Sequence, residues 1–174
     1  MRNSSIVDFI LRQYLQIVSY LNFFSDSIPP MFLRFILAIE FGQSGFEKLH
    51  GTNWFQDLTF PVPFNLLPPD ISWNIATYFE IIGAFALALG IATRFFSIAL
   101  IILTIVAIAS VHWPEQWVNL SDLITGYRII DEEGDGFGNY KLPLIYIVMF
   151  LPLLFGGAGK FSLDYLIKHK FNKS

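Results

Sequence analysis

Four stretches of the chain are almost wholly apolar, and shorter segments rich in polar residues, proline or glycine separate them. A helix that crosses a membrane needs about 20 mainly apolar residues. The stretches that approach or reach this length are 31–49, 74–92, 95–111 and 139–158. The pattern therefore predicts an all-α fold, a membrane four-helix bundle with four transmembrane helices, which forms a single membrane domain over residues 1–174.

Two further segments, 6–26 and 162–171, are predicted to be helices that lie in the membrane interface. In the first, polar side chains recur at helical spacing and form a narrow stripe on an apolar helix: Asp8, Arg12, Gln16, Ser19, Asn22 and Asp26. Such an amphipathic helix is typical of segments that lie in the interface plane. A fifth membrane span at 6–26 is the alternative. The second segment is short and ends in basic residues.

The composition supports lipid as the solvent and excludes some redox chemistry. Only 14% of the residues are charged and 54% are hydrophobic, whereas a soluble domain has about 25% charged residues. The chain has no cysteine, which excludes thiol–disulfide exchange, covalent c-type haem and cysteine-ligated iron–sulfur clusters. Any electrons would pass through a bound small molecule or a partner, and no nucleic-acid partner is expected.

The distribution of basic residues predicts the orientation of the bundle. In a four-span arrangement, eight of the 11 Lys and Arg residues lie on one side, and Lys48, Arg128 and Lys141 lie on the other. Because cytoplasmic loops are enriched in Lys and Arg, both termini are expected in the cytoplasm, and segments 50–73 and 112–138 outside. The predicted location is the bacterial inner membrane, with membrane lipid as surroundings and the periplasm on the outer side.

Glu40 and Glu80 are the chemically informative residues, because each is a carboxylate inside an apolar stretch. A charge at membrane depth costs at least ~2.5 kcal/mol. At ~1.5 Å of rise per residue, both are expected ~10–13 Å below the outer surface. Small residues that share the face of Glu80 predict that this face packs inward. The helical period places four polar side chains on or beside the face of Glu40: Gln43, Ser44, Glu47 and Lys48.

We therefore expect one polar site in the outer half of the bundle, with Glu40 and Glu80 as a proton-handling pair. Gln43, Ser44 and Glu47 are expected to line it. Such a pair could relay protons, hold a cation or accept a proton from a quinol-like ligand. The alternative is structural: the two carboxylates fix helix packing through hydrogen bonds to Gln43, Ser44 or Tyr146.

The outer segments carry weaker signals. Residues 52–73 contain four prolines and several aromatic side chains, which predicts a stiff cap over the bundle or in the headgroup layer. His50 and His112 each follow a span, and we favour interfacial histidines over metal or haem ligands because no ligand spacing supports ligation. Segment 131–139 resembles the first part of a calcium loop, but Leu142 stands where the bidentate Glu belongs. A solvated acidic turn is favoured, with cation binding or docking of a basic partner as alternatives, and no metal site is predicted.

Three short motifs resemble the DoxX family of small membrane proteins. They are the run from Arg34 to Lys48 with Gly-Phe-Glu-Lys at its end, Glu80-Ile-Ile-Gly, and Gly-Ile-Ala-Thr-Arg94. The resemblance covers about residues 30–155 and implies Arg34, Lys48, Glu80 and Arg94 as family positions. It also implies a bacterial four-helix inner-membrane protein. DoxD-type relatives form a thiosulfate:quinone oxidoreductase with a DoxA partner, but the resemblance does not extend that chemistry to this chain.

The predicted function is a redox-associated, quinone-linked membrane subunit that works with a periplasmic or membrane redox partner. In this hypothesis Glu40 and Glu80 handle protons, a quinone is the candidate cofactor, and ligand contacts come from the remaining polar residues: Gln43, Ser44, Glu47, Lys48, Arg34 and Arg94. For Arg34, a snorkelling anchor near the cytoplasmic end is the alternative. The alternative function is a non-enzymatic module that binds a small amphiphile or scaffolds a periplasmic partner.

Overall fold

The computed structural model describes residues 2–113 and 140–171, and within them every regular element is helical, without any β-strand. The six α-helices, numbered here in chain order, are α1 Arg2–Ser25, α2 Ile28–His50, α3 Pro69–Leu89, α4 Thr93–Ala107, α5 Lys141–Gly156 and α6 Leu163–Phe171. The all-α prediction is confirmed. Each predicted span coincides with one of the helices α2 to α5, although position 139 lies outside the described residues.

Proline and glycine set the ends of the central helices. Both α2 and α3 carry proline in the first turn, where the missing N–H costs nothing and φ is already helical. They therefore begin earlier than the apolar pattern indicates. Helix α3 ends at Gly90, whose φ of 69° is left-handed and whose N–H bonds to Ala86 O and Leu87 O. A π-helical turn, Ile108–His112, extends α4.

Two helices are long and apolar enough to cross a membrane by length and composition, Pro69–Leu89 and Thr93–His112. Lys141–Gly156 is apolar but has only 16 residues. Helix α2 has the length, but four charged side chains lower its hydropathy: Arg34, Glu40, Glu47 and Lys48. The four-span arrangement therefore stays a prediction, although the described helices are consistent with membrane insertion.

The helices pack in pairs, with α3 against α2 and α4 against α5. The core between the pairs consists of buried apolar side chains: Leu37, Phe41, Leu87, Leu100, Phe150 and Leu153. The outward faces of the same helices remain apolar and exposed, for example at Ile39, Ile82 and Ile98. Helix α1 packs only lightly, mainly against α2, and exposes most of its large apolar side chains. Such surfaces suit lipid.

A glycine lets α2 and α3 approach closely beside Glu80, the carboxylate of α3. A Cβ at Gly45 would lie 3.0 Å from Ile81 N and 3.1 Å from Glu80 Cβ. Small residues at helix crossings allow backbones to approach in lipid. This contact turns the face of α3 that carries Glu80 inward, and Glu80 is only 3% exposed.

Candidate functional site

A cavity of about 500 Å³ lies between α2, α3, α4 and α5, beneath the connection between α2 and α3. We call it the acidic cavity because Glu40 and Glu80 both line it. Most of its wall is apolar and comes from four helices, for example Phe41, Ile75, Phe79, Ile102, Leu103 and Pro143. Two carboxylates on different helices therefore share one largely apolar space.

Residues 52–68, called the cap here, cover this cavity with aromatic side chains. Trp54 and Phe55 pack with each other and with Trp73 of α3, and Phe60 packs on Phe55, at ring-centroid distances of 5.0 to 5.9 Å. Edge-to-face packing of this kind stabilises aromatic clusters. Asn53 holds the start of the cap, because its Oδ1 accepts from Phe55 N–H at 2.9 Å. The cap predicted from the sequence is present, and Trp54 and Phe55 line the cavity.

Glu80 forms an ion pair with Lys48 at the wall of the acidic cavity. Lys48 Nζ lies 2.8 Å from Glu80 Oε2 and 3.0 Å from Oε1. It also donates to Ser44 Oγ at 2.7 Å. The side chains of Lys48 and Glu80 are 13% and 4% exposed. Both groups have lost most of their hydration, so each depends on the other for compensation.

Glu40 has a separate partner, the phenol of Tyr146 on α5. Tyr146 Oη donates to Glu40 Oε2, and its ring packs on Phe41 at 5.7 Å between centroids. Glu40 and Glu80 thus line the same cavity, each with its own hydrogen-bond donor. The contact between Glu40 and Tyr146 is one of those considered in the structural alternative.

The predicted polar face of α2 divides in two. Ser44 and Lys48 line the acidic cavity with Glu40. Gln43 and Glu47 do not line it; Gln43 Nε2 donates to Glu47 Oε1 at 2.9 Å, and both residues are exposed. The residues that α2 buries are Arg34, Leu37, Phe41, Gly42 and Gly45. At ~100° per residue the inward face is therefore centred roughly 120° from Glu40, with Ser44 and Lys48 between the two.

Arg34 and Arg94 lie at the opposite end of the bundle and do not line the acidic cavity. Arg34 is 1% exposed, and its guanidinium donates to Leu87 O at 3.1 Å and to Phe161 O. Arg94 Nη2 donates to Phe155 O at 3.1 Å. Arg34 is thus no snorkelling anchor: its guanidinium is buried and bonds to carbonyl groups at the C-terminal end of α3 and between α5 and α6, where helix ends leave carbonyls unsatisfied.

Comparison with known proteins places these residues in a family. Residues 30–113 match the family model of DoxX. An uncharacterized protein of Haemophilus influenzae is 46% identical over 145 residues, which cover 82% of this chain and 85% of that protein. The chain belongs to the DoxX family. No solved structure matches this DoxX protein at a significant level. The matched region contains Arg34, Glu40, Lys48, Glu80 and Arg94, and it ends before α5.

Sequence reasoning about this DoxX membrane protein missed two hydroxyls of the acidic cavity. Ser72 at the start of α3 and Ser110 in the π-helical turn both line it. Each has a buried Oγ without a hydrogen-bond partner in the described part of the chain. Their only sequence signal is polarity at the ends of apolar stretches, which is common. A buried hydroxyl without a protein partner is completed by a water, an ion or a ligand, or remains at a cost in free energy.

A metal centre finds no support in the residues that the structure describes, which contain no group of three His, Asp or Glu side chains placed to hold an ion. His50 Nδ1 lies 2.9 Å from Phe46 O of its own helix, and His112 lines the acidic cavity. The predicted acidic turn at 131–139 lies outside the described residues.

Proposed function

We propose that this DoxX membrane protein is a quinone-linked redox subunit of the bacterial inner membrane, and that the acidic cavity binds the quinone headgroup. One observation carries the proposal: two carboxylates, each with its own hydrogen-bond donor, line one largely apolar cavity, Glu80 buried and Glu40 at an exposed position. Glu80 is paired with Lys48 and Glu40 with Tyr146. Ligand pockets typically combine apolar walls with a few such convergent polar groups.

The free hydroxyls suit the carbonyl oxygens of a quinone. Lys48 already directs hydrogen bonds at Ser44 and at both oxygens of Glu80. Ser72 and Ser110, by contrast, have hydroxyl oxygens at the cavity wall that no described residue hydrogen-bonds. Leaving a buried polar group without a partner costs ~1–3 kcal/mol. A ligand carbonyl that accepts from these hydroxyls recovers that cost.

The walls provide a path for an apolar tail. Ile75, Phe79 and Ile102 line the cavity and are also 38% to 45% exposed on the outer face of α3 and α4. This part of the wall lies where lipid surrounds an inserted bundle. A tailed quinone can therefore place its ring among the polar groups and leave its tail in the acyl chains.

The carboxylates supply the proton chemistry. A quinone that accepts two electrons takes up two protons, one on each carbonyl oxygen, and becomes a quinol. Glu40 with Tyr146 and Glu80 with Lys48 form two proton-exchanging pairs near one headgroup. Since the chain has no cysteine, the electrons come from a periplasmic or membrane redox partner.

The proposal includes a topology. Helices α2, α3, α4 and α5 span the membrane, and α1 and α6 lie in the interface. Both termini are cytoplasmic, and the acidic cavity opens towards the periplasmic half. The distribution of Lys and Arg supports this orientation.

A non-enzymatic amphiphile-binding module is the second candidate. It is favoured by the fact that each carboxylate already has a partner. A fully paired polar cluster can fix helix packing and orient a ligand without transferring protons.

The test is a quinone titration of the purified protein, with a redox assay of the same sample. Quinone should quench the fluorescence of Trp54, which lines the cavity. Glu80→Gln should weaken quinone binding, and Glu47→Gln, which removes an exposed carboxylate from α2, should not. Quinone reduction by membrane extracts containing electron donors supports the redox role. Binding without reduction supports the second candidate, and equal binding by both variants and wild type refutes the quinone site.

A further inference from the structure

A second cavity lies at the opposite end of the bundle, and the proposed quinone site does not use it. It has a volume of about 760 Å³ and is formed by the α1–α2 turn, the α3–α4 turn and the segment between α5 and α6. We call it the basic cavity because Arg94, Lys160 and Lys168 line it. Two carboxylates, Asp26 and Asp164, lie in the same wall.

Both carboxylates of the basic cavity already have donors. Asp164 Oδ1 accepts from Ala92 N–H at 2.8 Å, and its Oδ2 accepts from Thr93 N–H at 2.9 Å. Asp164 thereby caps the N-terminus of α4. Asp26 Oδ2 lies 3.5 Å from Lys160 Nζ. The charges of Asp26 and Lys160 therefore offset each other, and Asp164 is occupied by backbone.

Two cations remain available to a ligand. Arg94 donates one hydrogen bond from Nη2, to Phe155 O at 3.1 Å; within residues 2–113 and 140–171 its other N–H groups have no hydrogen-bond partner, out of the five that an arginine carries. Lys168 is exposed and has no ion pair or hydrogen bond with any residue that the structure describes. A guanidinium and an ammonium that face one cavity are suited to the oxygens of a phosphate group.

A buried hydroxyl gives an independent indication of a ligand. Thr93 lines the basic cavity and is 0% exposed. Its backbone N–H is bound by Asp164, but its Oγ1 has no partner in the described part of the chain. A hydroxyl buried without a partner is unfavourable unless a ligand or water completes it.

The rim of the basic cavity identifies the rest of the ligand. Phe95 lines the cavity and is 58% exposed on the outer face of α4. An acyl chain fits beside such a ring, whereas a free phosphate ion gains nothing from it. We propose that the basic cavity binds the phosphate group of an anionic phospholipid, held by Arg94, Lys168 and the hydroxyl of Thr93. Basic pockets between membrane helices on the cytoplasmic side bind anionic headgroups in this way.

The experiment measures lipid binding by native mass spectrometry of the full chain in mild detergent. Phosphatidylglycerol and phosphatidylcholine are added separately to wild type, Arg94→Gln, Lys168→Gln, Thr93→Val and Lys170→Gln. The last variant is the control, because it removes the same charge from α6 outside the cavity. Since Lys168 is exposed, its variant should fold even where Arg94→Gln does not.

Wild type should prefer phosphatidylglycerol, and Arg94→Gln and Lys168→Gln should each weaken its binding at least about tenfold. Thr93→Val should weaken it less, and Lys170→Gln should match wild type. Equal binding of the two lipids, or unchanged binding by Lys168→Gln and Thr93→Val, overturns the proposal. Displacement of the lipid by an equal concentration of inorganic phosphate assigns the cavity to free phosphate and also overturns it.

Discussion

The ion pair between Lys48 and Glu80 gives the sharpest prediction about stability. Lys48→Met keeps most of the side-chain volume but removes the ammonium that lies 2.8 Å from Glu80 Oε2. Glu80, 4% exposed in its side chain, is then left in an apolar wall without a cation to compensate it. Removing one partner of a buried ion pair typically costs ~3–5 kcal/mol. We expect Lys48→Met to lower the free energy of unfolding by about that amount.

The double variant separates pairing from loss of contact. Replacing both partners of a buried pair by uncharged residues is often neutral, so Lys48→Met with Glu80→Gln should recover at least ~2 kcal/mol relative to Lys48→Met alone. Unfolding can be followed by tryptophan fluorescence during titration of dodecyl sulfate into mixed micelles. Glu47→Gln removes an exposed charge and keeps an oxygen that can accept from Gln43, so it should change stability by no more than ~0.5 kcal/mol. A cost below ~1 kcal/mol for Lys48→Met, or a double variant no more stable than the single one, would show that Glu80 does not depend on Lys48 for its stability in the bundle.

Three further predictions concern packing, capping and topology. Gly45→Val should destabilise the protein by ~1–3 kcal/mol, because a Cβ at Gly45 meets the backbone of α3 at 3.0 Å. The control is Gly156→Ala, because the space around Gly156 is open. Its free energy of unfolding should stay within ~0.5 kcal/mol of wild type in the same assay. Asp164→Ala removes two hydrogen bonds to the start of α4 and should cost ~0.5–2 kcal/mol, and an equally stable variant would contradict this capping role. Green fluorescent protein fused to either end should fluoresce, and alkaline phosphatase inserted in 52–68 should be active; the reverse pattern would contradict the orientation.

The sequence predicts which segments form helices α2 to α5, but it does not predict where each of these helices begins. Long apolar stretches predict α2 to α5 because few other structures satisfy the backbone in lipid. The apolar pattern starts α2 and α3 a few residues too late, because proline occupies the first turn of both helices, where it is compatible with helical geometry. The apolar pattern has no information about how tightly α1 packs, because an exposed apolar helix and a buried one can have the same composition.

The candidate site was predictable in part. Glu40 and Glu80 stand out because a carboxylate in an apolar stretch is costly, and both line one cavity. The choice of partners depends on contacts between distant segments: Tyr146 is 106 residues from Glu40. The rotation of α2 depends on the close contact at Gly45, which directs Ser44 and Lys48 inward and leaves Gln43 outside. Arg34 is buried with its guanidinium against the carbonyl groups at the end of α3. The residue pattern within α2 gives no indication of this contact.

The most direct test of a quinone in the acidic cavity is to identify the small molecules that the native protein retains. Wild type, Glu80→Gln and Glu47→Gln would be purified from membranes in parallel, extracted with organic solvent and analysed by liquid chromatography with mass spectrometry. A quinone should copurify with wild type and Glu47→Gln in near-equal amounts and be depleted at least about tenfold in folded Glu80→Gln. A quinone content that is the same in all three samples, or no greater than that of an unrelated membrane protein, would contradict quinone binding in the acidic cavity.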